Sequence, residues 1–328
     1  MSTTIRGARA AHGAGGAMAA APARMKAAVQ TRYGTTDVLS VEPVDVPTLA
    51  DHEVLVRVHA AAVNPADWAI LRGYPTVLRL AYGLSGPRLR TRGSDVAGVV
   101  EAIGAAVTQF QPGDEVFGWC RGAFAEFAAA SETGLAHKPS KLTYGQAAAV
   151  PMAGITALQA LRDHGHVTAG KRLLVNGAAG GIGTFAVQIA KARGAEVTGV
   201  CSARSAALVR DLGADHVIDY GSEDFTRSGE RYDVVLDNVG NHTLSACRRA
   251  LAADGVLIPN SMAGNRWFGS IGRILTALAM SPLSRQSLRP FFSIPKQADL
   301  QELVDLIDAG AITPAIDTTY MLDDAPKA

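Results

Sequence analysis

The chain of 328 residues is long for a single hydrophobic core, so its length predicts two domains. A net charge of +1 excludes binding to nucleic acid, or to an acidic substrate, through long-range attraction. Three scattered cysteines, Cys120, Cys201 and Cys247, cannot form a disulfide framework, which predicts a reducing, cytoplasmic location. Every uninterrupted apolar run is shorter than a membrane span, so we expect a soluble protein.

Residues 1–24 are rich in Ala and Gly, carry three arginines and contain no acidic residue. Such a segment suits an organelle transit sequence, or alternatively a disordered tail or an upstream start codon. We favour a disordered leader, because a sustained apolar core of the signal-peptide type is missing. Met25 then opens a strand-like run, so the first domain is predicted to begin there.

Short alternating runs and turn residues dominate residues 29–136, which predicts a compact, barrel-like, all-β module there. It forms most of a first domain predicted over residues 25–150. The predicted strands include residues 54–58, 98–103, 116–117 and 124–127. Thr143 and Gln146 have the spacing of a capping box, which predicts the start of a helix. We expect the chain to enter a second domain near Pro151.

Residues 173–191 predict a strand, a tight turn and a helix. An apolar run is followed by a glycine cluster and then by a helical apolar pattern. Glycines allow the sharp turn, the close approach of a phosphate and the packing of the helix on its strand, while the first helical turn offers unpaired N–H groups to a pyrophosphate. These glycines are Gly177, Gly180, Gly181 and Gly183.

The segments that follow place this turn in a β-α-β-α-β unit of the dinucleotide-binding type. A second strand is predicted at residues 196–200, a helix at 207–212 and a third strand at 216–218. A glycine-rich loop that binds nothing is the alternative, and this context disfavours it.

The end of the second strand indicates which dinucleotide binds. NAD sites place an acidic residue there for the ribose 2′-hydroxyl, but this chain has no carboxylate before Asp211. The Ser202 hydroxyl and the Arg204 guanidinium suit a 2′-phosphate instead, which predicts NADPH. The alternative for Arg204 is a solvated residue at the start of a helix.

Two further strands, at residues 233–236 and 255–258, end in polar residues. Because ligands lie beyond the carboxyl ends of parallel strands, Asn238 and Ser261 are predicted contacts on the nicotinamide side. Either side chain could instead cap a helix. We therefore predict a doubly wound parallel sheet over residues 151–289.

The last part of the chain is expected to complete the first domain, with about residues 290–328. Residues 262–297 carry basic but no acidic residues, and the apolar helix at 271–280 suggests a lid, a membrane-surface helix or, as we favour, a connecting helix. An amphipathic helix at 300–307 and an extended segment at 312–320 follow. A helix then starts at residue 323, close to the last residue, so the chain looks cut short.

Together these motifs resemble the medium-chain dehydrogenase/reductase superfamily, in its zinc-independent, quinone oxidoreductase-like branch. The resemblance runs from Met25 to the end and rests on A-A-V-N-P-A-D-W (61–68), G-S-D-V-A-G-V-V-E-A-I-G (93–104), P-G-D-E-V-F-G (112–118), A-G-I-T-A-L-Q (153–159) and L-G-A-D-H-V-I-D-Y (212–220). It implies an α/β protein with a GroES-like β-barrel catalytic domain, a Rossmann domain, a cleft for cofactor and substrate, and a homodimer.

The resemblance also implies roles for individual residues. The residues expected to bind NADPH are Ala179, Gly181, Ile182, Ser202, Arg204 and Tyr220, the last near the 2′-phosphate. Asn64 and Thr156 are expected near the nicotinamide. Tyr74 lies one position from the catalytic tyrosine of enoyl reductases, and a plain cleft-wall tyrosine is the alternative. Relatives continue into a final strand, so this chain is expected to have a less stable catalytic domain than an extended form.

Zinc-dependent members carry Cys at the position of Asn64 and Gly-His-Glu at 93–95, where this chain has Gly-Ser-Asp. No metal site is therefore expected. The chemistry implied is hydride transfer from NADPH to a quinone or an α,β-unsaturated carbonyl compound (enone or enoyl). The alternatives are a non-catalytic NADPH-binding sensor or scaffold, and a zinc-free alcohol dehydrogenase.

Overall fold

A computed structural model describes residues 1–7, 22–261, 271–280 and 285–328. The chain divides into two compact units. The first unit comprises residues 2–152, 295–308 and 314–328, and the second unit comprises Met1 and residues 153–294 and 309–313. The stretches 8–21, 262–270 and 281–284 lie outside the described residues.

Strands and helices are labelled along the chain. The strands are β1 (Ser2–Arg6), β2 (Arg24–Gln30), β3 (Leu39–Asp45), β4 (Glu53–Val63), β5 (Asp95–Ile103), β6 (Glu115–Trp119), β7 (Phe127–Ser131), β8 (Leu135–His137), β9 (Arg172–Asn176), β10 (Glu196–Cys201), β11 (His216–Asp219), β12 (Tyr232–Asp237), β13 (Leu251–Pro259), β14 (Ser287–Leu288) and β15 (Ile316–Met321). The α-helices are α1 (Pro65–Arg72), α2 (Arg79–Tyr82), α3 (Tyr144–Ala148), α4 (Pro151–Gln159), α5 (Gly181–Ala192), α6 (Ala206–Asp211), α7 (Leu244–Arg249), α8 (Ile271–Met280) and α9 (Gln297–Asp308).

The first unit is built on a sheet with the order β15-β1-β4-β5-β6-β8, in which β7 also pairs with β4. β2 and β3 form a separate antiparallel pair. Valines of the central strands, including Val54, Val56, Val96 and Val100, are buried in its main core. Burial of these β-branched side chains is the main favourable term that holds the sheet together.

The prediction that residues 1–24 form a disordered leader is wrong at its beginning. Residues 2–6 form β1, which runs parallel to β15 and antiparallel to β4. Ile5 is 2% exposed and lies in the main core of the first unit, and the Oγ1 atoms of Thr4 and Thr319 are 3.0 Å apart. A run of five residues is too short to show a clear alternation of apolar and polar residues, and its strand partners are distant in the sequence.

The all-β prediction for residues 29–136 is also wrong, since residues 65–72 form α1. Asn64 precedes the helix as its N-cap and Pro65 occupies the first position, where a missing N–H costs nothing. The Asn64 N–H donates to Asp67 Oδ2 at 2.9 Å. Gly73 ends the helix with φ of +59°, in the left-handed region that favours glycine.

Two local predictions in the first unit have different outcomes. The capping box is confirmed: the Gln146 N–H donates to Thr143 Oγ1 at 3.3 Å, and the Thr143 N–H donates to Gln146 Oε1 at 3.0 Å. The strand predicted at 124–127 is displaced, because the ladder with β4 begins only at Phe127. Buried side chains on both sides of the chain hide the true register there.

The second unit contains six described strands in one parallel sheet with the order β11-β10-β9-β12-β13-β14. This arrangement confirms the predicted doubly wound fold. Leu173, Leu174 and Val175 are fully buried, as expected for a strand covered on both faces. β14 was not predicted, since two residues are too short to show a period.

Helix α8 coincides with the apolar helix predicted at 271–280. Ala277 is buried in a core of the second unit, whereas Leu275 is exposed. This packing supports the interpretation as a connecting helix. Within the described parts of the chain, no helix is both long and apolar enough to cross a membrane.

We predict that Ile5→Ala destabilises the protein by about 2–5 kcal/mol, because it leaves a cavity in the main core of the first unit. Arg6→Ala is the matched control, since Arg6 is exposed on the same strand. Urea unfolding of both variants measures the free energy of unfolding. Equal unfolding midpoints for Ile5→Ala and the parent chain would show that β1 contributes no packing.

Candidate active site

The predicted glycine turn joins β9 to α5 in the second unit. Gly177 has φ of +85°, and a Cβ at Gly183 would lie 2.1 Å from the Gly177 carbonyl oxygen. Side chains are therefore excluded from both positions by the backbone itself. Gly180 is the N-cap of α5 and contributes no side-chain cap, so the first-turn N–H groups are available to an anion.

The turn brings together the predicted residues Ala179, Gly180, Gly181, Ile182 and Gly183. It is anchored to β10 because the N–H groups of Gly177 and Ala178 both donate to the Val200 carbonyl, at 3.1 and 3.0 Å. An oxyanion placed at this turn would meet backbone donors and the positive end of the helix dipole. This geometry suits the pyrophosphate of a dinucleotide.

The residues predicted to read the 2′-phosphate lie together at the ends of adjacent strands. Cys201 and Asp219 are paired in register, so Ser202 and Tyr220 follow neighbouring strand ends. The Tyr220 N–H donates to the Cys201 carbonyl at 3.1 Å. The side chains of Arg204 and Tyr220 are exposed and accessible to a ligand.

A buried carboxylate, not singled out in the sequence, organises the other side of the turn. Asp237 is fully buried and accepts hydrogen bonds from Asn176 Nδ2 at 2.8 Å, Arg273 Nη2 at 2.5 Å and the Gly240 N–H at 2.9 Å. These bonds fix the loop after β12 next to the glycine turn. In the sequence, Asp237 could have been recognised as an acidic residue that directly follows the apolar residues of β12.

The predicted nicotinamide contacts, Asn238 and Ser261, also lie beyond strand ends. Asn260 Nδ2 donates to Asn238 Oδ1 at 2.9 Å. Asn238 Nδ2 and Ser261 Oγ are buried and have no hydrogen-bond partner among the described residues. Because buried polar groups are normally satisfied, these two orphaned groups fit a polar ligand at this end of the sheet. Ser261 also lines a cavity of about 80 Å³ with Phe291 and Phe292.

Thr156, predicted to lie near the nicotinamide, is buried on α4 in the second unit. Asn64 belongs to the first unit. Their role at the nicotinamide remains a prediction.

In the first unit, Asn64 is held by a network of buried acids. Asn64 Nδ2 donates to Asp95 Oδ2 at 3.1 Å, and the Met152 N–H donates to the same oxygen at 2.9 Å. The Ser94 hydroxyl donates to Asp67 Oδ1 at 3.4 Å. The contact between residues 64 and 95 was not evident from the sequence, because they lie on separate elements.

Burial changes the acid–base behaviour of this network. Desolvation raises the pKa of Asp95 to about 8 and that of Asp67 to about 6. Desolvation also raises the pKa of the nearby Cys120 thiol, with a further contribution from the charge of Asp95. Asp95 Oδ1 is buried without a hydrogen-bond partner among the described residues, in accord with a protonated carboxyl group.

Tyr74, the predicted catalytic tyrosine, follows α1 and is partly buried. Its ring lies edge-on to that of Trp68, with 6.2 Å between the centroids. The Arg72 guanidinium lies over the Trp68 ring, 4.8 Å from its centroid. Tyr74 therefore belongs to a small aromatic cluster at the end of α1.

Comparison with known proteins shows which family has this architecture. Residues 50–140 match the alcohol dehydrogenase GroES-like domain, and residues 212–328 match the family described as zinc-binding dehydrogenase. The mouse protein "NAD(P)H oxidoreductase RTN4IP1, mitochondrial" is 36% identical over 336 residues, covering 93% of this chain and 85% of that protein. This chain belongs to the medium-chain dehydrogenase/reductase superfamily, in its quinone oxidoreductase-like branch.

Other members of the superfamily agree with this assignment. The tomato (Solanum lycopersicum) protein "2-methylene-furan-3-one reductase" is 37% identical over 232 residues, covering 67% of this chain and 58% of that protein. The structure of the quinone oxidoreductase from Coxiella burnetii has a TM-score of 0.81 at 27% identity, covering 93% of this chain and 94% of that one. The predicted GroES-like domain, Rossmann-type sheet and oxidoreductase class are thereby confirmed.

Zinc, which the name of one matching family implies, does not fit the donor atoms of this medium-chain dehydrogenase/reductase. Zinc binds thiolate, imidazole and carboxylate ligands, but the side chains at the relevant positions are the Asn64 amide, the Ser94 hydroxyl and the Asp95 carboxyl. Asp95 is the one ionisable group among the three, and its burial favours the protonated form. Ligand binding requires the deprotonated form, so zinc and this donor set are mismatched.

We predict that the free energy of unfolding of Asp95→Asn falls less than that of the parent chain when the pH rises from about 4 to about 8. In this window the folded protein keeps a proton on Asp95 that the unfolded chain has lost, so the free energy of unfolding falls as the pH rises. Because Asn cannot ionise, the variant lacks this pH-dependent fall in the free energy of unfolding, which is on the order of a few kcal/mol across the window. Urea unfolding at several pH values measures the difference.

Asp45→Asn is the control for this experiment, because Asp45 is exposed on the first unit. If the parent chain and Asp95→Asn showed parallel pH profiles, Asp95 would not be protonated in the folded state.

Proposed function

We propose that this protein is an NADPH-dependent, zinc-independent oxidoreductase that reduces quinones or α,β-unsaturated carbonyl compounds. The observation that carries the proposal is the buried Asn64 amide, held by Asp95 where zinc-dependent members have a thiolate ligand. An amide can donate a hydrogen bond to a carbonyl oxygen but cannot supply the charge that activates an alcohol. The relatives named for quinone and furanone reduction support the same class.

NADPH is proposed as the cofactor on the strength of Ser202, Arg204 and Tyr220. These side chains lie at the ends of β10 and β11, where an acidic residue would otherwise select NADH through its ribose hydroxyl. A guanidinium and two hydroxyl groups match the donors that a 2′-phosphate requires. The orphaned groups of Asn238 and Ser261 are proposed to meet the polar end of the nicotinamide.

The cofactor, when bound, supplies the hydride that a conjugated carbon accepts. In this reaction, negative charge develops on the carbonyl oxygen of the substrate, and a fixed N–H donor stabilises it. Asn64 is proposed as such a donor, since Asp95 holds one of its amide hydrogens and thereby orients the group. Tyr74 is proposed to return the proton, with solvent as the alternative source.

Two other functions compete with this proposal. A sensor or scaffold would keep the glycine turn and bind NADPH without turnover, and a zinc-free alcohol dehydrogenase would oxidise a hydroxyl group. The buried Asn64–Asp95 pair favours a reductase over both, because an oriented donor serves a developing oxyanion. We also propose a homodimer and a cytoplasmic location; the three thiols are free, in accord with a reducing compartment.

The proposal is tested by the absorbance of NADPH across a panel of quinones and enones. We expect consumption with at least one of these substrates, at the same rate with and without a metal chelator. In the same assay, Tyr74→Phe should lower kcat by roughly 100-fold if the phenol returns the proton, and leave it unchanged if solvent does. Tight binding of NADPH without consumption would identify a sensor or scaffold instead.

We predict that Arg204→Met raises the KM for NADPH by about tenfold and leaves the KM for NADH unchanged. The tenfold change corresponds to the loss of one charge-assisted contact with the 2′-phosphate. Arg210→Met is the matched control, since Arg210 is an exposed arginine on the adjacent helix α6. Initial rates with both cofactors provide the measurement. Similar changes of KM for NADPH and NADH would show that Arg204 is a solvated residue at the start of a helix.

A further inference from the structure

The first unit contains a cavity of about 360 Å³ that the proposed chemistry leaves unexplained. Part of its wall is apolar, formed by Ile70, Tyr82, Pro87, Leu89 and Cys120. The remaining wall is mostly polar and includes Ser94 and three arginines, Arg88, Arg92 and Arg121. A cavity of this size and composition suits a small molecule with an apolar body and a negatively charged group.

Arg92 is the least expected residue in this wall. Its side chain is only 7% exposed, yet its hydrogen bonding to described residues is limited to one contact, from Nε to the Arg90 carbonyl at 3.4 Å. Arg92 forms no ion pair with a described carboxylate, and Asp67 acts on it only through its charge. Burial lowers the pKa of Arg92, but a guanidinium stays protonated in proteins. Arg92 lines the cavity, and its Nη atoms are not among the buried unpaired atoms of the described residues, so they reach the cavity space, where an anionic group of a ligand can pair with them.

The other charged groups of the cavity do not neutralise Arg92. Asp67 attracts it electrostatically, but the two oxygens of Asp67 accept from the Asn64 N–H and the Ser94 hydroxyl. Arg121 is bound to Glu53 at 3.0 Å. The exposed Arg88 side chain has no ion pair with any described residue. The cavity thus keeps an excess of positive charge.

The cavity is connected to the proposed oxyanion donor through Asp67. One oxygen of Asp67 accepts from the Asn64 backbone and the other from Ser94, so a single carboxylate joins the cavity wall to the residue that is proposed to face the reacting carbonyl. Asp67 and Ser94 line the cavity, so its wall is hydrogen-bonded to the segment that carries Asn64.

We propose that Arg92 is a specificity-determining residue and that the preferred substrates are conjugated carbonyl compounds that carry a carboxylate on an apolar or aromatic body. Arg92 binds the carboxylate, Arg88 contributes at the exposed side, and the apolar wall covers the body of the substrate. This inference rests on the proposed reductase function and specifies its substrate class.

The test compares 4-phenylbut-3-en-2-one with its 4-carboxyphenyl derivative, which differ only in the carboxylate. In the parent chain we expect kcat/KM to be at least about tenfold higher for the charged enone, the value of one charge-assisted hydrogen bond. Arg92→Met should bring the ratio of the two kcat/KM values close to one. Arg90→Met, a control that removes an exposed arginine outside the cavity wall, should keep the ratio of the parent chain.

A ratio near one in the parent chain would overturn the proposal and leave the reductase function intact. If Arg92→Met does not fold, Arg88→Met provides the second test, because this exposed side chain can be removed without opening the core. We expect it to lower the ratio severalfold, and an unchanged ratio would contradict the assignment of the cavity.

A calorimetric titration separates this proposal from the proposed function. The carboxylated enone is titrated into the NADPH-free protein, so the measurement does not depend on turnover. Binding that weakens at least tenfold in Arg92→Met but not in Arg90→Met supports the anion site, even if neither enone is reduced. Equal binding by both variants overturns it.

Discussion

The turn between β9 and α5 depends on a close approach of the backbone at Gly183 to the backbone at Gly177. The Gly177 carbonyl oxygen occupies the space that a side chain at Gly183 would fill, so α5 can begin this close to the turn only with glycine at position 183. The same contact exposes the first-turn N–H groups of α5 to a ligand. Packing and anion binding thus have a common origin, since the glycines that let the helix approach its strand also leave its positive end uncovered.

The polar groups around this turn divide into two classes. Asp237 is fully buried but completely engaged, and its hydrogen bonds to Asn176, Arg273 and Gly240 hold adjacent strand ends together. Asn238 and Ser261 are buried but incompletely bonded within the described part of the chain. A satisfied network provides rigidity, whereas an unsatisfied group has a free-energy cost that a ligand can relieve. This contrast separates the residues that position the site from those that are suited to contact its ligand.

The first unit has a comparable division. Asp67 and Asp95 orient Asn64 from two sides, and burial shifts the pKa of each acid upward, far enough for Asp95 to stay protonated near neutral pH. Arg92 remains charged in the neighbouring wall without a bonded counter-ion among the described residues. A protein gains no stability from such an arrangement, so binding of an anionic group gives it a physical reason.

The sequence by itself determined the features that are encoded locally: the glycine turn, the parallel strands of the second unit, the capping box of Thr143 and the family resemblance. The turn, each strand and the capping box depend on residues within one short window, where period, turn chemistry and helix capping act directly on the backbone, and the resemblance combines several such windows. Most of the candidate cofactor residues follow from that pattern, since they lie at strand ends that the pattern locates.

Only the tertiary structure decided which distant residues meet. It placed residues 2–6 between β4 and β15, brought Asp95 to Asn64, and buried most of Arg92 in the wall of a cavity. The physical reason is that strand pairing, burial and desolvation depend on neighbours supplied by remote parts of the chain. A run of five residues, a single acid or a single arginine has the same local sequence whether it is exposed or buried.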